Sequence, residues 1–399
     1  MRVAVVGLGT AGAATACLLL DRGHDVTVLE QAEDPRPVGA GIWLQDLGQQ
    51  VLDRLDLLPA LRERSRVVSR VRMEGRGGRL LLDLGYDARP ASTPALGVHR
   101  GDLFRLLFAA VRERGVPLEL GARVSAVEPR TGGIALTVDD PAGPEARDLG
   151  RFDLVVGADG SRSQVRGALG LGHRERVYRY GALWAIVPDP TGLTSDTLHQ
   201  ALDGTRRTLG VLPTGADRAS IFWSLRTDRH AAALAAGPDR WREEARPMAG
   251  RYAPLLDAVE ELLPASYRSV EVRASYRVTG GGRSAGVLLG DAAHAMSPQL
   301  GAGTSLALAD AWTLAAALER RGSLAERLAW YDDQRRAHVR WYRWWTRAMM
   351  PVFQSDLTPL ALPRDALSPL VGRVPGMPRL LAGTLSGDRR SLRRTWRLP

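Results

Sequence analysis

Three acidic side chains stand beside glycine turns, each after a short apolar run, and that combination suits a ligand rich in hydroxyl and phosphate groups. Near the start, the run VAVV leads into Gly7-Leu8-Gly9-Thr10-Ala11-Gly12. An apolar stretch reaches Leu20, and "HDVTVLE" then ends on Glu30, 23 residues after Gly7. Far downstream, "FDLVVGADGSRSQVR" carries Asp159 between Ala158 and Gly160. Further still, "GVLLGDAAHAMSPQLGAGTSLALADAWTLAAAL" carries Gly290-Asp291 and then Pro298, Gly301, Ala302 and Gly303.

The first of these has the order strand, G-x-G-x-x-G turn, helix, strand, acid. Gly7 permits the tight turn, Gly9 lets backbone N–H groups approach a pyrophosphate, and Gly12 allows the helix to pack on the strand. The helix N-terminus, at Thr10 and Ala11, faces the phosphates. Glu30 stands where a carboxylate accepts hydrogen bonds from a ribose. Dinucleotide binding is the expectation, and this motif alone does not separate NAD from FAD. The other two acid–glycine turns each follow a strand. The last leads into a long helix over about 304–318.

The elements that must position these groups belong to an ordinary globular composition, with 45% hydrophobic and 25% charged residues. A length of 399 residues implies two domains, consecutive or intertwined. The formal charge of +10 comes from a chain without lysine, so all 54 basic residues are arginine. They are scattered along the chain with no nucleic-acid motif beside them, which argues against a nucleic-acid partner. The single cysteine, Cys17, excludes an internal disulfide and a cysteine-based zinc site, and no metal is expected. Met1-Arg2 and the apolar run after it superficially match a secretory leader, but glycines break the run and Asp21-Arg22 end it. No later segment is long and apolar enough to span a membrane, and a cytoplasmic enzyme is expected.

Taken together, the three motifs resemble those of the single-component (class A) FAD-dependent monooxygenases of the p-hydroxybenzoate hydroxylase type, over about residues 2–347. The resemblance implies an α/β fold: a Rossmann-like FAD-binding domain of the GR2 type, an inserted, mainly antiparallel β-sheet substrate domain and a C-terminal helical segment. It implies FAD as cofactor, NADPH or NADH as co-substrate, and O2. One oxygen atom would pass through a flavin C4a-hydroperoxide into an organic substrate, aromatic or a secondary metabolite. By the same resemblance Asp291 would bond the ribityl or diphosphate region of FAD, and Asp159 would sit where flavin and nicotinamide are both held. Pro298, Gly301, Ala302 and Gly303 would lie against the isoalloxazine. "RPVGAGIWLQ" (Arg36, Gly41, Gln45) matches the loop over the flavin, and Arg100 in "VHRGDLFRLL" matches an arginine that reaches FAD. The run Gly301-Ala302-Gly303-Thr304-Ser305 departs from the Gln and Asn common there, and Gln45-Asp46 replaces the usual Pro-Asn.

The FAD domain is expected to be discontinuous, over 1–72, 97–175 and 276–345, with a substrate domain from 73–96 and 176–275 and a C-terminal tail over 346–399. Residues 142–148 read as an exposed hairpin loop. Base candidates on the substrate strands are His199, Tyr180 and Tyr178. Gln45, Trp184 and Trp223 are candidates for the pocket wall. "RWYRWWTR" (Trp341, Tyr342, Trp344, Trp345) reads as a capping helix with its aromatics inward, the alternative being a basic amphipathic helix on a membrane surface or a partner. A small-molecule substrate and a monomer or homodimer complete the expectation. The absence of lysine argues against a flavin halogenase. An FAD-dependent reductase of the geranylgeranyl-reductase type and a non-redox FAD-scaffold cyclase or binding protein are the alternatives.

Overall fold

The computed structural model describes residues 1–36, 39–89, 92–139, 146–215 and 217–399. The chain builds a mixed α/β fold around two large sheets. The first has six strands in the order Tyr276–Thr279, Ser284–Leu288, Leu154–Gly157, Arg2–Val6, Asp25–Glu30 and Leu118–Leu120. All its pairs are parallel except the first. Its strands are continuous apolar runs because both faces are covered. One side carries the helices Thr10–Leu20, Arg100–Glu113 and Gly303–Glu319. The other carries a three-stranded meander over Val124–Arg130, Gly133–Asp139 and Ala146–Phe152. Cys17 is buried in this core, and burial pushes its thiol up to about 11, so the group is inert packing.

The second sheet has seven strands in the order Leu263–Val272, His173–Pro188, Arg218–Arg226, Arg207–Pro213, Thr197–Asp203, Arg70–Glu74 and Leu80–Gly85. Its pairs are antiparallel apart from Thr197–Asp203 on Arg70–Glu74. Side chains alternate across it with a period of two. Leu183, Ala185, Val187, Ile221 and Trp223 pack on Trp241, Tyr252 and Leu256, which belong to a helical layer on the outer face. The inner face meets the cofactor half: Leu198 and Leu212 pack with Trp43 and Ala95, and the Gly41 N–H donates to Ser220 Oγ at 3.0 Å.

The hairpin loop expected over 142–148 falls mainly outside the described residues, and its last three residues begin the strand Ala146–Phe152. The helix Leu324–Phe353 starts with a Ser323–Glu326 capping box. Tyr342 is fully buried, and Trp341 and Trp345 pack beside it against Leu300 and Leu306, whereas Trp344 is 59% exposed. The last 46 residues are more ordered than a tail: they form the helices Ala361–Val371 and Met377–Leu385 and then double back. Trp396 is buried there, its ring stacked on His338 at 4.5 Å.

Candidate functional site

The three acid–glycine turns meet at the C-terminal ends of adjacent parallel strands, the position where open α/β sheets bind ligands. A Cβ at Gly7 would lie 2.6 Å from Ala158 O, and one at Gly12 would lie 1.8 Å from Gly7 O. A Cβ at Gly290 would sit 3.3 Å from that of Ala11 and 3.2 Å from that of Ala307. These glycines let the backbones touch, which accounts for them as packing. Gly9 is different, because a Cβ there would meet no protein atom within 4 Å. The backbone there is open to approach from outside the chain.

Two helices aim uncapped N-termini at this region. Thr10–Leu20 begins after Gly9 and Gly303–Glu319 after Ala302, and neither has a side-chain cap or an acid in its first turn. Their free N–H groups and positive dipole ends form an anion-binding pair. Gly301 adopts φ 58°, which turns the chain under Trp43, while a Cβ at Gly303 would again meet nothing within 4 Å. Pro298 is exposed beside it.

The acids divide the work. Glu30 accepts from Leu8 N at 2.8 Å and from Ala32 N at 3.0 Å, which fixes the glycine turn and leaves each oxygen a further lone pair. Asp159 Oδ2 accepts from Gln164 N and Val165 N, so this carboxylate caps a helix, while its Oδ1 is buried without a partner. Burial raises its pKa, against the bonds it receives from Ser163 and the backbone. Arg166 ties this turn to the next, donating to Ser161 O and to Ala292 O at 2.9 Å each. Asp291 is exposed at the wall of a cavity of about 440 Å³, its side chain opening into it. Desolvation by the crowded cavity wall raises its pKa, and His294 and then the Arg100 guanidinium work in the opposite direction.

That cavity lies between the two sheets. Asp291, Ala295, Met296 and Ser161 line it from the cofactor side, and Val177, Thr227 and Tyr267 from the second sheet. Tyr267 neighbours the Trp184 side chain, and Trp184 packs on Phe222 with ring centroids 5.2 Å apart. Trp184 therefore stands on the inner face, beside the wall of the cavity.

The other expected site residues each have partners within the protein. His199 and Trp223 are on the outer face by strand parity: His199 packs on Tyr252 at 4.9 Å and pairs with Glu74 at 3.2 Å, and Trp223 joins the Trp241 cluster. Burial lowers the His199 pKa despite Glu74. Tyr180 donates its hydroxyl to Asp356 at 2.9 Å, and burial together with Asp356 pushes it up to about 12, so it keeps its proton at neutral pH. Tyr178 is buried, with Arg176 over its ring. Gln45 is completely buried and acts as a strut, its Nε2 donating to Leu300 O at 2.9 Å beneath the Pro298–Gly303 loop. Arg36 is an exposed partner of Asp34. Gly41 lies tight against side chains of the second sheet, since a Cβ there would lie 2.5 Å from Thr214 Cγ2. Arg100 lies beside Gly39. His199→Gln is accordingly expected to keep substrate-stimulated NAD(P)H oxidation within about threefold of the parent. A fall of a hundredfold in steady-state turnover would return this histidine to the site.

One group escaped the sequence reading. Asp310 is fully buried in an otherwise apolar helix. It accepts from Gly290 N at 2.7 Å, His294 Nε2 at 2.6 Å and Arg335 Nε at 2.6 Å. Burial would raise its pKa, but His294 and Arg335 together hold it far below the usual carboxylate range. Asp310 thus pins the Gly290 turn that presents Asp291. A lone acid in the run "SLALADAWTLAAAL" was the available signal.

The fit to FAD rests on an open cradle at Gly9, an unpartnered Asp159 oxygen, two uncapped helix ends and an acid facing a cavity. A family model described as an FAD binding domain matches residues 1–342. The chain belongs to the class A FAD-dependent monooxygenases. It is 29% identical over 381 residues to the ubiquinone hydroxylase UbiL of Rhodospirillum rubrum, covering 91% of this chain and 84% of the relative. It is 30% identical to the 6-hydroxynicotinate 3-monooxygenase of Pseudomonas fluorescens, covering 82% and 85%. Among solved structures, Pseudomonas aeruginosa PqsL in complex with 2-aminobenzoylacetate superposes with a TM-score of 0.78 at 23% identity, covering 91% of this chain and 99% of that one. The enzyme is an FAD-dependent monooxygenase that uses NAD(P)H and O2. Among the described residues, no helix is long and apolar enough to cross a membrane and no cluster of metal-ligating side chains occurs.

Proposed function

We propose that this monooxygenase places its oxygen atom on an aromatic substrate held between the Pro298–Gly303 loop and the inner face of the second sheet. The carrying observation is that Asp291 and Tyr267 line one cavity, and that Tyr267 neighbours Trp184, whose ring packs tilted on Phe222. Flat aromatic rings favour a flat aromatic partner. Relatives named for ubiquinone and 6-hydroxynicotinate support the same reading.

Bound FAD would supply the redox chemistry, taking electrons from NADH or NADPH and passing them to O2. The chain's own groups bind and orient. Gly9 and the Thr10–Leu20 N-terminus would receive the pyrophosphate, Glu30 the ribose, and Asp291 with Arg100 the region between phosphate and ring. The uncapped Gly303 end would stabilise negative charge on the ring system, as preorganised donors do. Burial pushes Tyr267 up, so at neutral pH it stays a phenol that holds its proton and can only hydrogen-bond. The two sheets close over the reacting groups and exclude water.

This reading divides the chain into an FAD-binding unit of the GR2 type over 1–72, 97–175 and 276–345, and a substrate unit over 73–96 and 176–275. A cytoplasmic setting goes with it, supported by one buried thiol. The test is NAD(P)H oxidation and O2 uptake by purified yellow protein across a panel of phenols, quinones and hydroxypyridines. A product heavier by one oxygen atom is expected. O2 uptake that follows none of them, or a saturated alkene formed without O2, would overturn the proposal.

A further inference from the structure

The helix Ala361–Val371 is packed inside out. Its inward side carries Arg364, which is buried and donates to Gly204 O at 2.7 Å and Val352 O at 2.8 Å. Arg364 also pairs with Asp365 at 2.6 Å and lies over the Phe353 ring at 5.6 Å. The outward side carries Leu362, Ala366 and Leu370 at a spacing of four, with Leu367 beside them. Leu362 is 77% exposed, Leu367 59% and Leu370 45%, and Leu357 and Val374 extend the strip at 55% and 46%. Five of the large apolar side chains that this fold leaves in water thus fall within 18 residues. A strip of this kind marks a surface meant to be covered.

Charge decides what covers it. Arg373 and Arg379, at the end of the strip, are exposed and make no ion pair among the described residues. Between residues 357 and 387 the only acid is Asp365, and it is turned onto Arg364. A second copy of the chain would set these arginines against like charges on a molecule that already carries +10. An anionic surface with an apolar interior satisfies the leucines and the arginines at once. We propose that the strip from Leu357 to Arg379 is a peripheral docking face for membranes containing anionic lipid, with the helix lying in the plane of the interface. The membrane-facing element is then the helix Ala361–Val371, because Trp341, Tyr342 and Trp345 of the preceding helix face inward.

Flotation of the FAD-loaded enzyme with vesicles tests this. Phosphatidylcholine vesicles containing phosphatidylglycerol are expected to carry at least tenfold more enzyme than phosphatidylcholine alone. That excess should be lost in about 1 M salt, where screening acts within roughly 3 Å. The triple variant Leu362→Gln/Leu367→Gln/Leu370→Gln should lose flotation on both. Arg373→Gln/Arg379→Gln should lose only the preference for anionic lipid. Both variants lie away from the FAD motifs, so flavin absorbance and basal NAD(P)H oxidation report that each is folded. Flotation unchanged in both variants would overturn the proposal. So would a parent that does not float but forms a dimer, by light scattering, that the triple variant dissociates.

Discussion

Replacing Gly9 with valine is expected to yield a folded chain that no longer retains FAD. The backbone there has φ −67°, ordinary for any residue, and an added side chain meets no protein atom. Nothing in the folded chain resists the change, so the thermal midpoint of the FAD-free variant should stay within about 1 °C of the FAD-free parent, a shift below about 1 kcal/mol for a chain of this size. The cost appears only when a pyrophosphate must approach the turn. FAD affinity by fluorescence titration should weaken at least a hundredfold, or about 2.8 kcal/mol at 1.4 kcal/mol per decade. Gly12→Val is the contrast: its Cβ would lie 1.8 Å from Gly7 O, so the turn itself must open and both stability and binding should fall. If Gly9→Val bound FAD like the parent, the open space would not be the phosphate path.

The second large effect concerns Asp310. Asp310→Ala leaves Arg335 and His294 without their carboxylate inside the protein, a class of change that costs about 3–5 kcal/mol. It also releases Gly290 N, so FAD affinity should fall with stability, and chemical denaturation should show the loss directly. The same network sets a pH dependence. Arg335 donates to His338 Nδ1 at 2.6 Å, so His338 must accept there and donate from Nε2 to Gly387 O at 2.8 Å, which is the neutral tautomer. Burial, aided by Arg335, depresses its pKa well below the ordinary value. The unfolded chain therefore binds a proton at His338 below about pH 6.5 that the folded chain refuses, and stability is lost as pH falls through that region. Asp310 adds to the loss below about pH 4, where the unfolded carboxyl takes up a proton and the folded one does not. His338→Gln should remove about 1.4 kcal/mol per pH unit from the slope of unfolding free energy between pH 6 and pH 5. An unchanged slope would show that the tail opens and hydrates His338 before the core unfolds.

Much of the site was legible because its recognition is local. A G-x-G-x-x-G turn, its helix and the acid at the end of the next strand lie within 30 residues, and backbone geometry alone dictates the glycines. Asp291 and the Gly301–Gly303 turn were legible for the same reason. The substrate face was not, because a strand shows its two sides with a period of two but does not say which side the rest of the chain will cover. His199 and Trp184 have equal claims in the sequence. Helices over 230–257 cover one face, which sends His199 to Glu74 and leaves Trp184 beside the cavity.

Alone, then, the sequence determined the ligand class and the three acid–glycine turns proposed to hold it, since those depend on short-range sterics and hydrogen bonds between near neighbours. Only the tertiary structure decided which side chains gather around those turns. It brought Asp310 to Gly290, Gln45 to Leu300 and Asp356 to Tyr180 across 20, 255 and 176 residues. Burial makes each such pairing obligatory, because a polar group taken out of water must find a partner wherever along the chain one is available. Local pattern carries no information about that distance.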